Sequence, residues 1–129
     1  MSASDNLSLQ LFRGFNTSKV KKPLGIHWSG VSGLPDDSPG LGASLFASPS
    51  EGEKHTIVHA WVNHKNVVNA YDTDFYKKHD IWGGGHPEFE EPVYPGSKVA
   101  VQGVTKVRKV KGVTKTRHVN YNPPREMKA

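Results

Sequence analysis

The 129-residue chain has no cysteine and a formal net charge of +5. This excludes disulfides, thiolate metal sites and cysteine nucleophiles, and suits one domain. No apolar run approaches the ~20 residues of a membrane-spanning helix, and residues 1–6 lack a basic-then-apolar leader, so a soluble protein is expected. The charge is uneven: residues 98–129 hold nine Lys or Arg and one Glu, a local balance of +8 that leaves −3 for the rest.

Thirteen glycines and nine prolines are scattered along the chain, and period-two alternation recurs where a helical stripe would be needed for an α protein. Residues 7–13 read as a first strand, with Leu7, Leu9 and Leu11 on one face and Arg13 at its end. A short second strand covers 25–29, followed by a Gly/Pro/Asp/Ser-rich loop over 30–39. The best helix is 40–47, where Leu41, Leu45 and the flanking Phe46 form an apolar stripe that Pro49 limits.

Residues 56–62 read as a buried strand, and 67–71 as either a short strand or a helical turn. The polar stretch 72–87, containing Gly83-Gly84-Gly85, is expected to be one long loop. A strand begins at 90–94, Pro95-Gly96 turns the chain, and 99–107 alternates before a Lys111-Gly112 hairpin returns along 113–121. Residues 122–129, like 1–6, are expected to be flexible polar tails. Together these elements describe a strand-dominated α+β domain with one or two short helices near its N-terminal half.

Three islands combine polar groups with strand ends. In Phe12-Arg13-Gly14, an arginine closing an apolar strand offers its planar fork to a phosphate or carboxylate. In His27-Trp28-Ser29, alternation puts the imidazole and hydroxyl on one face and Trp28 on the other. In Glu88-Phe89-Glu90-Glu91, Glu88 and Glu90 share a face, and paired carboxylates at a loop–strand junction suit acid/base or cation-stabilising work. Each island, taken alone, also matches an ordinary solvated strand end.

In order and spacing the islands resemble the Arg–Ser–Glu class of small, single-domain mono-ADP-ribosyltransferases of phage and bacterial type. The matching stretches are Phe12-Arg13-Gly14, His27-Trp28-Ser29 in place of the usual Ser-Thr-Ser, Ala43-Ser44-Leu45-Phe46-Ala47, Glu88-Phe89-Glu90 and Val93-Tyr94-Pro95-Gly96-Ser97. The resemblance implies two packed, mostly antiparallel sheets and NAD+ as co-substrate, with no metal. It also implies a toxin-like effector in the cytoplasm of a bacterial or phage-infected cell.

By the same resemblance Arg13 grips the NAD+ phosphates or the adjoining ribose, and the Gly14 backbone faces the nicotinamide amide. Ser29 orients the glutamate, and His27 contacts the adenosine side. Phe46 stacks on nicotinamide. Glu90 binds the ribose 2′-hydroxyl and stabilises the oxocarbenium ion, while Glu88 receives the nucleophile, with protein arginine the preferred acceptor. Glu90 is chosen over Glu91 because it is in phase with Glu88. Within 72–87, Tyr76, His79 and Trp82 would contact the target.

Two other readings are open. Residues 98–118 could form a basic two-stranded ribbon that binds nucleic acid without catalysis, through Lys106, Arg108, Lys109, Lys111, Lys115 and Arg117. A metal site among His55, His59 and His64 is disfavoured: on a strand, residues four apart are separated by about 13 Å at ~3.3 Å per residue.

Overall fold

A computed structural model describes residues 7–17, 24–34, 42–44, 53–81 and 89–129. Its centre is a four-stranded antiparallel sheet in chain order: β1 (Ser8–Asn16), β2 (Lys54–Asn63), β3 (Lys98–Val110) and β4 (Val113–Lys128). The alternation survives as burial in β3, whereas β4 is exposed along nearly all its length. In β3, Val99, Val101, Gly103, Thr105 and Val107 are all buried between more open neighbours.

Register explains where the core lies. Leu11 stands opposite Ala60, and Ala60 opposite Val101, while Val62 stands opposite Val99. These side chains close on Trp28 and Val93 from two segments outside the sheet. Trp28 is fully buried, and its indole N–H donates to Gly25 O at 2.6 Å, so no polar group is stranded by that burial.

Those outer segments follow the free edge of β1. Residues 26–31 lie between β1 and residues 89–93, tied by isolated bridges Phe12↔Ser29 and Ser29↔Glu90; Val67↔Val93 adds a third. Among the described residues there is one sheet: the expected second, packed sheet does not form, and the expected strands 25–29 and 90–94 are reduced to these isolated bridges, the first of which attaches to the edge of β1 itself.

Four other expectations are corrected. β1 runs on to Asn16, because Gly14 and Phe15 still pair with Ile57 and Thr56. Residues 122–128, expected to be a loose tail, continue β4: Arg125 pairs with Val101 and Lys128 with Lys98, and Ala129 N donates to Ser97 O at 2.8 Å. Pro123 and Pro124 do not end the strand because they fall in an irregularity. Residues 121–124 all oppose Gln102, and a bulge asks no ladder hydrogen bond of a proline.

The stretch 72–87 is not simply a loop, since Thr73–Lys78 form a helix, α1. Its signals are ordinary ones: Asp72 caps it by accepting from Phe75 N, Asp74 lies in the first turn, and Lys77 and Lys78 in the last. This helix lies past the chain's midpoint rather than in its N-terminal half. Of the expected helix 40–47, residues 42–44 are described, and Ala43 and Ser44 are helical.

The Lys111-Gly112 hairpin forms as expected. Both residues have positive φ (51° and 78°), as a two-residue turn matched to strand twist requires. No helix among the described residues is long and apolar enough to cross a membrane.

Candidate active site

Three stretches distant in the chain meet along the outer edge of β1. Phe12 exchanges two backbone hydrogen bonds with Ser29, at 2.8 and 2.7 Å. Ser29 in turn faces Glu90 across a pair framed by Gly30 N to Phe89 O at 3.1 Å and Glu91 N to Trp28 O at 2.8 Å. In that narrow, non-hydrogen-bonded kind of pair, opposed side chains approach most closely. Ser29 is fully buried and Glu90 is 8% exposed.

His27 joins the carboxylate to the arginine. Its Nδ1 lies 2.7 Å from Glu90 Oε2; an ionised carboxylate only accepts, so Nδ1 carries the proton and donates. The carbonyl of the same residue accepts from a terminal guanidinium nitrogen of Arg13 at 3.1 Å. Gly25 passes beside that guanidinium, and a Cβ there would come within 3.3 Å of it. Partial burial lowers the Arg13 pKa by desolvation, although a guanidinium remains charged at any ordinary pH.

Ser29 Oγ accepts from Val31 N at 3.0 Å, which fixes the hydroxyl's place and turns the chain after the bridge. At Gly14 the peptide is directed to the same outer edge of β1 as that of Phe12, because residues two apart on a strand direct their N–H and C=O groups alike, and Gly14 itself is buried there. Glu90, not Glu91, is the acid opposite Ser29. Glu91 is more open, and desolvation still raises its carboxyl above the usual value.

The regular strand face expected for Glu88 and Glu90 is interrupted. Phe89 has φ of 48°, a left-handed conformation that non-glycine residues rarely adopt. Glu88, Phe46 and Trp82 lie outside the described residues, so their expected roles stay with the sequence. His27, expected toward the adenosine side, also meets Glu90.

Tyr76, expected to contact the target from a loop, stands in helix α1. Burial raises the pKa of its phenol, and the charges of Glu91, Glu90 and Asp72 act in the same direction. Tyr76 lines a hollow of about 390 Å³ with Thr73, Lys77 and Ile81. Helix α1 is pinned in place by Tyr94, whose hydroxyl donates to Asp72 Oδ2 at 3.2 Å and whose ring meets Phe75 edge-on.

A second polar group adjoins the first. The Phe12 ring meets His59 edge-on at 5.3 Å between centroids, and His59 meets His118 at 5.2 Å. His118 Nε2 donates to Asn120 Oδ1 at 2.6 Å, which leaves Nδ1 to accept from the Thr105 hydroxyl at 2.7 Å; the same oxygen accepts from His59 Nε2 at 2.8 Å. Burial and His118 together hold the His59 pKa down to about 4.

The site therefore sets a fixed cation, a buried hydroxyl and an oriented carboxylate around one edge. Comparisons with protein-family models, curated proteins and solved structures return no match.

Proposed function

We propose that the chain is an NAD+-dependent mono-ADP-ribosyltransferase that breaks the nicotinamide–ribose bond and passes ADP-ribose to a macromolecular target. The observation that carries the reading is the row Phe12–Ser29–Glu90. It aligns the Arg, Ser and Glu islands on neighbouring backbone segments, with His27 contacting both Arg13 and Glu90.

Nicotinamide leaves as a neutral molecule with the bonding electron pair, and the ribose passes through an oxocarbenium-like state. A buried carboxylate already held by hydrogen bonds stabilises that cation without having to reorganise first. Glu90 fills this role and accepts from the ribose 2′-hydroxyl. Arg13 neutralises the dinucleotide phosphates, Ser29 binds the ribose, and the Gly14 peptide receives the nicotinamide amide. His27 acts on the reaction by positioning Glu90.

Glu88 takes the proton released when the acceptor nitrogen attacks C1′, and arginine is the preferred acceptor. Phe46 stacks on nicotinamide. In this reading the target approaches over the α1 hollow lined by Tyr76. The strained φ at Phe89 supports the reading, because such conformations cluster at working sites.

The test is nicotinamide release and transfer of labelled NAD+ in bacterial lysate, comparing wild type with Glu90→Gln, which keeps an acceptor for His27. Glu90→Gln is expected to lose at least ~100-fold, the range seen when a preorganised transition-state group is removed. Wild-type protein that releases no nicotinamide, or a Glu90→Gln rate equal to wild type, ends the reading.

A further inference from the structure

The face of the sheet that packs the core changes character along its length. Opposed across β2, β3 and β4, the row Val58–Val104–Val119 is followed by Thr56–Lys106–Arg117 and then Lys54–Arg108–Lys115. Two successive rows thus place five cations on one face, all exposed, around a cleft of about 260 Å³. Lys54 comes from 44 positions before the nearest basic residue of β3, so the cluster belongs to the fold and not to a charged run.

Like charges directly opposed across strands are unfavourable, and by that rule a neutral side chain at Lys106, Lys115 or Arg117 would serve the sheet at least as well. A local rule broken without a folding benefit points to use. The two rows cover roughly 10 Å across three strands and ~7 Å along them, room for a few phosphate groups. The polar side chains are fork-shaped or point cations with a threonine, which donate to phosphate oxygens. The lining has no aromatic ring for base stacking and no Asn or Gln for adenine edges.

We propose that this cleft docks the phosphodiester backbone of nucleic acid and does so without reading its bases. The +8 of residues 98–129, to which Lys106, Arg108, Lys115 and Arg117 of the cleft belong, draws the polyanion in from a distance. The proposal requires nothing of Arg13, Ser29 or Glu90 and stands whether or not transfer occurs. Lys109 and Lys111 of the ribbon fall outside the cleft lining.

The experiment measures binding of fluorescent oligonucleotides to the full chain between 50 and 200 mM salt. Affinity is expected to fall about 100-fold over that range, as neutralising about four or five phosphates requires. Oligonucleotides of unrelated sequence should bind within about threefold of one another. Lys115→Gln/Arg117→Gln should weaken binding about tenfold or more and flatten the salt slope by about 1.5. Lys78→Gln/Lys128→Gln, which removes the same charge elsewhere, should cost less than about threefold.

Relief of the opposed charges should leave the Tm of the cleft variant unchanged or a few degrees higher, which separates lost binding from lost fold. Absence of binding at 50 mM salt, equal losses in both variants, or strong preference for one sequence overturns the proposal. Polyglutamate that displaces the oligonucleotide at equal charge would do the same, by assigning the surface to acidic proteins.

Discussion

A side chain at Gly14 would collide with the Ala43 carbonyl and come within 3.2 Å of Ile57 Cδ1. The helical turn at Ala43 is itself fixed by Ala43 N donating to Val31 O at 2.8 Å, so the backbone cannot simply withdraw. The glycine after Arg13 therefore has a packing reason as well as any ligand reason. Gly14→Ala is expected to cost about 2–4 kcal/mol, the scale of overpacking against a rigid neighbour. A urea melt measures it, and an unchanged midpoint would show that the close approach yields easily.

His59 sets a pH dependence. Folded, it takes a proton only near pH 4, whereas the unfolded chain does so near 6.5. Between these values the unfolded state binds more protons, so this part of the stability is complete above about 6.5 and is lost as the pH falls toward 4. Its imidazole is only partly buried, and after discounting for solvent screening the loss is about 1–2 kcal/mol. Burial lowers the His55 pKa too and acts in the same sense. Thermal unfolding followed from pH 7.5 to 4.5 should be less steep in His59→Gln than in wild type, and parallel curves would count against it.

At the scale of elements, the C-terminal half of β4 is structural. Arg125, Glu126 and Met127 pair with Val101, Ala100 and Val99, and Gly96 N donates to Ala129 O at 2.9 Å. Arg125 also sits 4.0 Å above the Tyr121 ring, an arrangement of the cation–π kind. The Lys98–Glu126 pair, exposed at 3.4 Å, adds little. Deleting residues 125–129 should cost roughly 2–4 kcal/mol, from a few ladder hydrogen bonds at ~1 kcal/mol each and uncovered valines. A calorimetric Tm equal to that of the full chain would show the segment to be dispensable.

The same scale shows why some elements were legible and others were not. β2 and β3 announce themselves because both contain alternating β-branched residues, and Lys111-Gly112 because few dipeptides suit two positive φ angles. Helix α1 also had its cap and terminal charges in plain view, but Gly83-Gly84-Gly85 coloured the whole stretch as loop. The end of β4 was hidden by Pro123-Pro124, since a bulge that excuses prolines depends on the partner strand and leaves no local mark.

At the scale of the whole molecule, the proposed NAD+ site and the basic cleft use different residues of one sheet. Arg13 pairs with Val58, and the cleft begins at the next in-phase row, Thr56–Lys106–Arg117. Variants in the two regions should act independently. Glu90→Gln is expected to leave oligonucleotide affinity within about twofold, and Lys115→Gln/Arg117→Gln to leave NAD+ consumption without a target within the same margin. Coupling well beyond that, measured with the double variant, would mean that the two regions share a ligand.

What sequence alone determined about this chain is what depends on near neighbours: strand periodicity, the hairpin turn, absent thiols, the basic C-terminal quarter, and three islands carrying Arg13, Ser29 and Glu90. Only tertiary structure decided which groups touch. Opposition of Glu90 to Ser29, the His27 link between acid and arginine, and Lys54 joining the β3–β4 cations all follow from register across strands. Register is a contest among long-range pairings, won by burying Trp28, Val93 and the valines of β2 and β3 together, and no local stretch of chain records its outcome.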